Sequence, residues 1–321
     1  MVLNEIINRL ALPVIASPLF IVSNAELVIA ECSHGIIGSI PALNARKKEL
    51  LSPLLAQIEQ GIKQALANGN CINAAPYAVN LIVHKTNDRL DHDLGVCIDH
   101  KVPIIITSLH APGKVVQAVH NYGGVVLHDV ISLRHAKKAL SEGVDGLIAV
   151  CAGAGGHAGT LSPFALVGEI RRFYDGIIVV SGAISRGDDI LAAQAMGANA
   201  AYIGTRFIAT KEANAVDNYK KMIVGSDASE IIYTPFFTGV KGNYLRQSII
   251  QSGLDPDNLE AGVTTNFGSG RVKPWKNIWG AGQGVGNIDE ILPVGEVIAK
   301  LCQEYRSAFE RLENRGAIYG G

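Results

Sequence analysis

Short apolar runs, each followed by a Gly- or Pro-containing loop and then a longer amphipathic stretch, recur along this chain roughly every 25 to 40 residues. The runs predict eight strands: Val14–Ser17, Gly35–Ile40, Ala78–Val83, Pro103–Thr107, Gly124–His128, Gly146–Val150, Ile177–Ser181 and Ala201–Gly204. Their cores, such as PIIIT, GVVLH and IIVVS, are continuous and β-branched rather than alternating, as expected of parallel strands covered on both faces. The stretches between them, such as SLRHAKKALSEG and SRGDDILAAQAMG, have helical spacing and end on glycine, a common helix stop. Eight such units predict an α/β fold, a closed (β/α)8 TIM barrel, with an open flavodoxin-like or Rossmann sheet as the alternative.

Residues 210–290 break the rhythm with FFTGVKGNYLRQS and NIWGAGQGVGNI, which predicts a lid or insertion on a single domain spanning residues 1–321. From Glu290 to Leu312 helical periodicity returns, on the outside of the barrel. The opening MVLNEIINRLALPVIASPLFIV is apolar, but Pro13 and Pro18 interrupt it and no cleavage pattern follows, so it reads as a buried strand rather than a signal or membrane anchor.

Composition narrows the partner. With 48% hydrophobic residues, 28 basic against 29 acidic side chains and a net charge of -1, the chain has no single-sign field for a nucleic-acid backbone or an anionic bilayer. A small-molecule substrate follows, and homo-oligomerisation is left open. Cys32, Cys71, Cys97, Cys151 and Cys302 are odd in number and contain no C-x-x-C pair, which argues against disulfides and a metal site and for a cytoplasmic protein.

The sharpest chemical signal is CAGAGGHAG, Cys151 to Gly159, directly after the sixth predicted strand. Its glycines let main chain lie close to a ligand and expose N–H groups, with His157 among them at the strand end where barrels carry their chemistry. The bland reading is a tight turn with an incidental histidine. SGAISRG follows strand seven and GTRF follows strand eight, the two loops that often hold a phosphate in barrels; otherwise Gly182 and Gly204 merely permit tight turns. Arg206 has two candidate partners, the phosphate and the outer helix layer. His128 and Asp129 end strand five, and His128, Ser17 and Trp279 are candidate pocket lining. The remaining histidines considered, His34, His84, His92, His100, His120 and His135, read as solvated or structural. Trp279 and Gln283 offer a stacking surface and an amide for a heterocycle, or else an apolar anchor and a turn amide.

GAGGHAG after strand six, SGAIS after strand seven, YIGTRF at strand eight and the late GNYLRQS and WGAGQG together resemble the nitronate monooxygenase family, formerly called 2-nitropropane dioxygenases, over nearly the whole chain. The resemblance implies non-covalently bound FMN and His157 as catalytic base or anchor for a nitro group. It implies flavin contacts from Asn80, Gly155, Gly156 and Gln283, and a phosphate cradle of Ser181, Gly182, Ala183, Tyr202, Ile203, Gly204 and Thr205. Two departures stand out. Val150, Cys151, Ala152 and Gly153 occupy the place of a common Gln-Gly-x-Glu run, and the usual double glycine of strand seven is Gly182-Ala183. The implied reaction is oxidation of alkyl nitronates by O2 to carbonyl compounds and nitrite. Alternatives on the same fold are a flavin enoyl-acyl-carrier-protein reductase or NADH:quinone reductase, which would consume reduced nicotinamide. A non-catalytic phospholigand-binding barrel is the alternative outside enzymes.

Overall fold

A computed structural model describes residues 3–69, 74–259 and 276–319. Eight parallel strands form one sheet: β1 (Val14–Ala16), β2 (Ser39–Pro41), β3 (Ala78–Val83), β4 (Ile104–Leu109), β5 (Val125–Val130), β6 (Gly146–Val150), β7 (Ile177–Ser181) and β8 (Ala200–Ile203). In space they run β1-β8-β7-β6-β5-β4-β3-β2. A parallel bridge between Ile15 and Ile37 closes the ring, with the Ala16 N–H donating to the Ile37 carbonyl at 2.8 Å. This is the (β/α)8 barrel that the repeated pattern predicts.

Side chains alternate across the barrel wall because successive residues of a strand face opposite sides. Ala78, Ile104, Ile106, Val125, Leu127, Ile148, Val179 and Tyr202 fill the interior. Their neighbours Val79, Ile105, Val126, Leu147 and Val180 lie in a second cluster with helix residues such as Leu55, Val116, Ala136 and Leu166. That double burial is why the strands read as unbroken apolar runs.

Two expectations need correction. The second strand is predicted from Gly35, but the ladder occupies Ser39–Pro41. Gly35 has φ +82° and Gly35 and Ile36 donate to the Cys32 and Glu31 carbonyls, so these residues close helix Ala25–Ser33 instead of extending the strand. The N-terminal stretch is not strand throughout: Leu3–Ile7 is a helix. Its buried Leu3, Ile6 and Ile7 have the i, i+3, i+4 spacing of one helical face and pack with Ile15, Ile37 and Ile104 of the barrel interior. Strand begins only at Val14.

Beyond β8 the chain leaves the βα rhythm. Ile231–Thr234 and Gly242–Leu245 pair antiparallel, and the second of these pairs with a two-residue strand, Gly156–His157. The late segment therefore builds its small sheet directly on the loop after β6. Helix Val294–Tyr319 then packs against helices Gly187–Ala195 and Ala25–Ser33. Among the described residues, no helix is long and apolar enough to cross a membrane. Cys97 and Cys151 are buried thiols, with Cys151 pushed up to about 12 by desolvation, and Cys71 lies outside the described residues.

Candidate active site

The loops after β6, β7 and β8 meet at the C-terminal end of the barrel. The Gly153 carbonyl accepts from the Ala183 N–H at 3.2 Å and from the Gln283 N–H at 2.9 Å, so one carbonyl ties three segments together. Gly282 N–H donates to Thr205 Oγ1 at 2.8 Å, and Asn243 Nδ2 donates to the Ala154 carbonyl at 2.6 Å. At Gly155 a β-carbon would lie 2.9 Å from Gly282 N and 3.1 Å from Ala281 C, so only glycine admits this docking of the late segment. Gly155, Ala183 and Gln283 stay exposed at the mouth. Ser17 joins them, 3.4 Å from where a Gly204 β-carbon would stand. The sequence-predicted set Gly155, Gly156, Ser181–Ala183, Thr205 and Gln283 is thus one constellation, with Gly204 and Ser17 beside it.

A phosphate-holding role for the helix after β7 is not what its N-terminus offers. Asp189 accepts from the Ser185 and Arg186 N–H groups, each at 3.0 Å, and Glu304 accepts from Gly187 N–H at 2.8 Å. These carboxylates already satisfy the donors and the positive end of the dipole. An anion after β7 would meet the Gly182–Ile184 turn. Arg206 resolves toward the outer layer: it is buried, donates to the Glu290 carbonyl at 3.2 Å, and has Asp289, Glu304 and Glu290 around it.

His157 is exposed on its short strand, registered against Gly242. Its Nε2 lies 2.8 Å from Thr238 Oγ1. The Thr238 hydroxyl donates to the Val240 carbonyl at 3.0 Å, which assigns the proton of the His157 contact to the imidazole. Although the residue is open to the mouth, the surrounding walls desolvate the ring and lower its pKa. The imidazole is therefore neutral at pH 7 and able to accept a proton. Thr238 and Asn243 carry no signal in the local sequence; both act through contacts with a loop some 80 residues earlier.

Strand five separates its two polar residues. Asp129 shares the phase of Val125 and Leu127 and faces the barrel interior, whereas His128 shares that of Val126 and Val130 and faces the helices. His128 is accordingly not pocket lining. It is buried and its Nδ1 meets Thr107 Oγ1 at 2.8 Å. Trp279 is not a stacking platform either: it is buried and stacks on Tyr219 with ring centroids 4.9 Å apart, anchoring the late segment. Asn80 faces inward, but its amide donates to the Ile106 carbonyl at 3.2 Å and to Ser108 Oγ at 2.9 Å, leaving Oδ1 as the atom for any ligand. His100, His120 and His92 pair with Glu59, Asp145 and Asp93 respectively, and His84 packs edge-on to His110. Depth is no guide to the chemistry. A recess of about 760 Å³ between Ile6, Arg9, Glu59, Lys63 and Tyr77 lies at the opposite end of the barrel.

Burial, then the charge of His135, lowers the His128 pKa to about 4. An unfolded imidazole titrates near 6.5, so between roughly pH 6.5 and 4 the unfolded chain binds a proton that the folded chain refuses. This site should remove on the order of 3 kcal/mol of stability as pH falls through that window. His128→Asn keeps a donor for Thr107 and should flatten the acid limb of a plot of Tm against pH. A variant with the wild-type slope would assign the acid sensitivity elsewhere.

Fold and mouth together define a (β/α)8-barrel protein whose loop after β6 pairs with the segment that follows β8. The sequence profile of the nitronate monooxygenase family matches residues 3–304, and the chain belongs to that family of oxidoreductases. A nitronate monooxygenase from Paraburkholderia phytofirmans is 24% identical, with 94% of each chain covered. Among solved structures, FabK from Thermotoga maritima superposes with a TM-score of 0.78 at 24% identity, covering 97% of this chain and 98% of its own. Nitroalkane oxidase from Streptomyces ansochromogenes gives 0.76 at 21% identity, covering 95% and 99%.

Proposed function

We propose that this protein is an FMN-dependent nitronate monooxygenase that oxidises alkyl nitronates with O2 to carbonyl compounds and nitrite. The observation that carries this reading is His157, with its lowered pKa, held on a strand beside interlocked loops that leave Gly155, Ala183 and Gln283 exposed. The residues fit the flavin in two respects. At helix Thr205–Ile208 the N–H groups of Phe207 and Ile208 donate to the Gly204 carbonyl, while those of Thr205 and Arg206 have no acceptor within the helix. On the barrel floor, Asp129 Oδ1 and the Tyr202 hydroxyl are buried without a hydrogen-bond partner among the described residues.

In this reading Ser181–Ala183 and the main chain of Tyr202–Thr205 hold the phosphate, and Asn80, Gly155, Gly156 and Gln283 orient the ring. Bound FMN supplies the two-electron chemistry. The chain's own work is to exclude water, align the substrate and manage one proton at the imidazole of His157. From a neutral nitroalkane, His157 takes the proton on the carbon beside the nitro group; with a preformed nitronate it holds the nitro oxygens.

A second reading, a flavin enoyl reductase, is favoured by one feature: the exposed apolar residues Leu109, Ile131, Leu161 and Phe164 follow β4, β5 and β6 at the same rim. The two readings separate in one cuvette. The purified protein should be yellow and release FMN on denaturation, and anaerobic propionate 3-nitronate should bleach its visible absorbance within the dead time of turnover. Bleaching by NADH or NADPH, with none by the nitronate, would establish the reductase. A colourless protein that takes up no FMN would leave the phospholigand-binding barrel.

A further inference from the structure

Inside the barrel mouth lies a polar chain that neither phosphate binding nor His157 uses. Asn80 Nδ2 donates to Ser108 Oγ at 2.9 Å, and Ser108 Oγ donates to Asp129 Oδ2 at 2.6 Å. One carboxyl oxygen is thereby spent. The other, Oδ1, and the hydroxyl of Tyr202 are buried and have no hydrogen-bond partner among the described residues. Folded proteins rarely leave such groups unmet, because each has given up its water for nothing. Both belong to the interior face, and Tyr202 shares its cluster with Val150 and with Ala154 and Ala158, the residues on either side of the Gly155–His157 segment. The pair therefore lies beneath the loop that carries the candidate chemistry.

The electrostatics of the floor have one dominant member. Desolvation raises Asp129 to about 7, opposed only by the Ser108 hydrogen bond, and burial, then the Asp129 charge, raises the Tyr202 hydroxyl. By strand alternation, the inward-facing residues toward this end of the barrel include Asn80 on β3, Ser108 on β4, Val150 on β6, Ser181 on β7 and Tyr202 on β8. Tyr202 is the titratable one among them. Because Ser108 donates to Oδ2, the carboxyl proton of Asp129, when present, sits on Oδ1.

We propose that Asp129 Oδ1 and the Tyr202 hydroxyl form a hydrogen-bonding floor for the heteroatom edge of the bound flavin, and that the Asp129 carboxyl governs how readily that flavin accepts electrons. This rests on the FMN reading above. A carboxylate beside the ring disfavours the extra negative charge of a reduced flavin, whereas the neutral acid donates a hydrogen bond to it. Reduction of the holoenzyme should then draw a proton onto Asp129, so the pH dependence of the potential carries its signature.

The test uses FMN-loaded wild type, Asp129→Asn and Tyr202→Phe, with midpoint potentials measured by dye equilibration from pH 6 to 9 and FMN affinity by fluorescence quenching. Wild type should show a bend near neutrality. Asp129→Asn, permanently neutral and of the same shape, should lose the bend and hold the higher potential at pH 8. Tyr202→Phe should keep the bend and bind FMN several-fold more weakly. If Asp129→Asn does not take up FMN, the wild-type holoenzyme alone decides, since its oxidised visible spectrum should shift with a transition near neutral pH and a flat spectrum would refute the floor. Superimposable potentials for wild type and Asp129→Asn would also overturn the inference, as would a change confined to KM for the nitronate, which would place the pair against substrate. A wild type that binds no FMN would instead bring down the FMN reading itself.

Discussion

Replacing His157 with asparagine should leave the barrel folded and the flavin bound while turnover falls by on the order of 10²- to 10⁴-fold, the usual cost of losing one positioned proton acceptor. Folding is spared because position 157 is exposed and its strand is held by main-chain pairing with Gly242 and Asn243, which asparagine retains. The size of the loss should depend on the ionisation state of the substrate. A neutral nitroalkane requires removal of the proton beside the nitro group, so the full effect is expected. A preformed nitronate has already lost that proton, so only the anchoring part should remain. The pH profile follows from the lowered imidazole pKa: wild-type kcat/KM for the nitroalkane should decline as pH falls, with its midpoint below that of an ordinary imidazole, once the ring is protonated. Equal and negligible losses on both ionisation states would remove His157 from the mechanism. His128 could not replace it, since it faces the helix layer and bonds Thr107.

The parts of this molecule that were legible from sequence are those in which one stretch of chain suffices. A parallel strand covered on both faces must be apolar at nearly every position, so PIIIT, GVVLH and IIVVS announce themselves. The glycine loops after β6, β7 and β8 were legible for a similar reason, since dense glycine at strand ends has few other uses. Phase was not legible. His128 and Asp129 both end β5, and a shift of one residue decides which enters the barrel; the deciding contacts, Ser108 on β4 and Thr107 behind it, belong to another strand. Trp279 reads equally as platform or anchor until Tyr219, sixty residues earlier, covers its face. At the N-terminus, the helical spacing of Leu3, Ile6 and Ile7 was masked because it runs straight into the apolar residues of β1. In sequence the glycines suggest openings for a ligand, yet Gly155 meets main chain of the late segment.

Gly182→Val should likewise act first on the chain's own packing. Gly182 has φ +143°, a region that L side chains rarely adopt, and its β-carbon would lie 2.7 Å from the Ala152 carbonyl and 3.3 Å from Cys151 Cβ. Valine must therefore push the exit of β7 away from the β6 loop or reset its own backbone, at a cost of about 2–4 kcal/mol in strain and lost packing. The displacement would not stay local, because Ala183 N–H and Gln283 N–H share the Gly153 carbonyl. Flavin-free protein should already melt at a lower temperature, and FMN affinity should fall at least tenfold, about 1.4 kcal/mol. Gly204→Val is the informative partner. Its backbone is ordinary at φ -113°, and its β-carbon would meet Leu19 Cδ2 at 3.2 Å and Ser17 Cβ at 3.4 Å, side-chain atoms that can shift. That variant should cost the flavin-free protein less stability than Gly182→Val while still weakening FMN, since Gly204 lies in the proposed phosphate cradle. Calorimetry on flavin-free protein and FMN titration of both variants would decide the matter. Unchanged FMN affinity in both would mean that these glycines serve only as strand-to-helix turns, and the phosphate would have to be sought elsewhere on the rim.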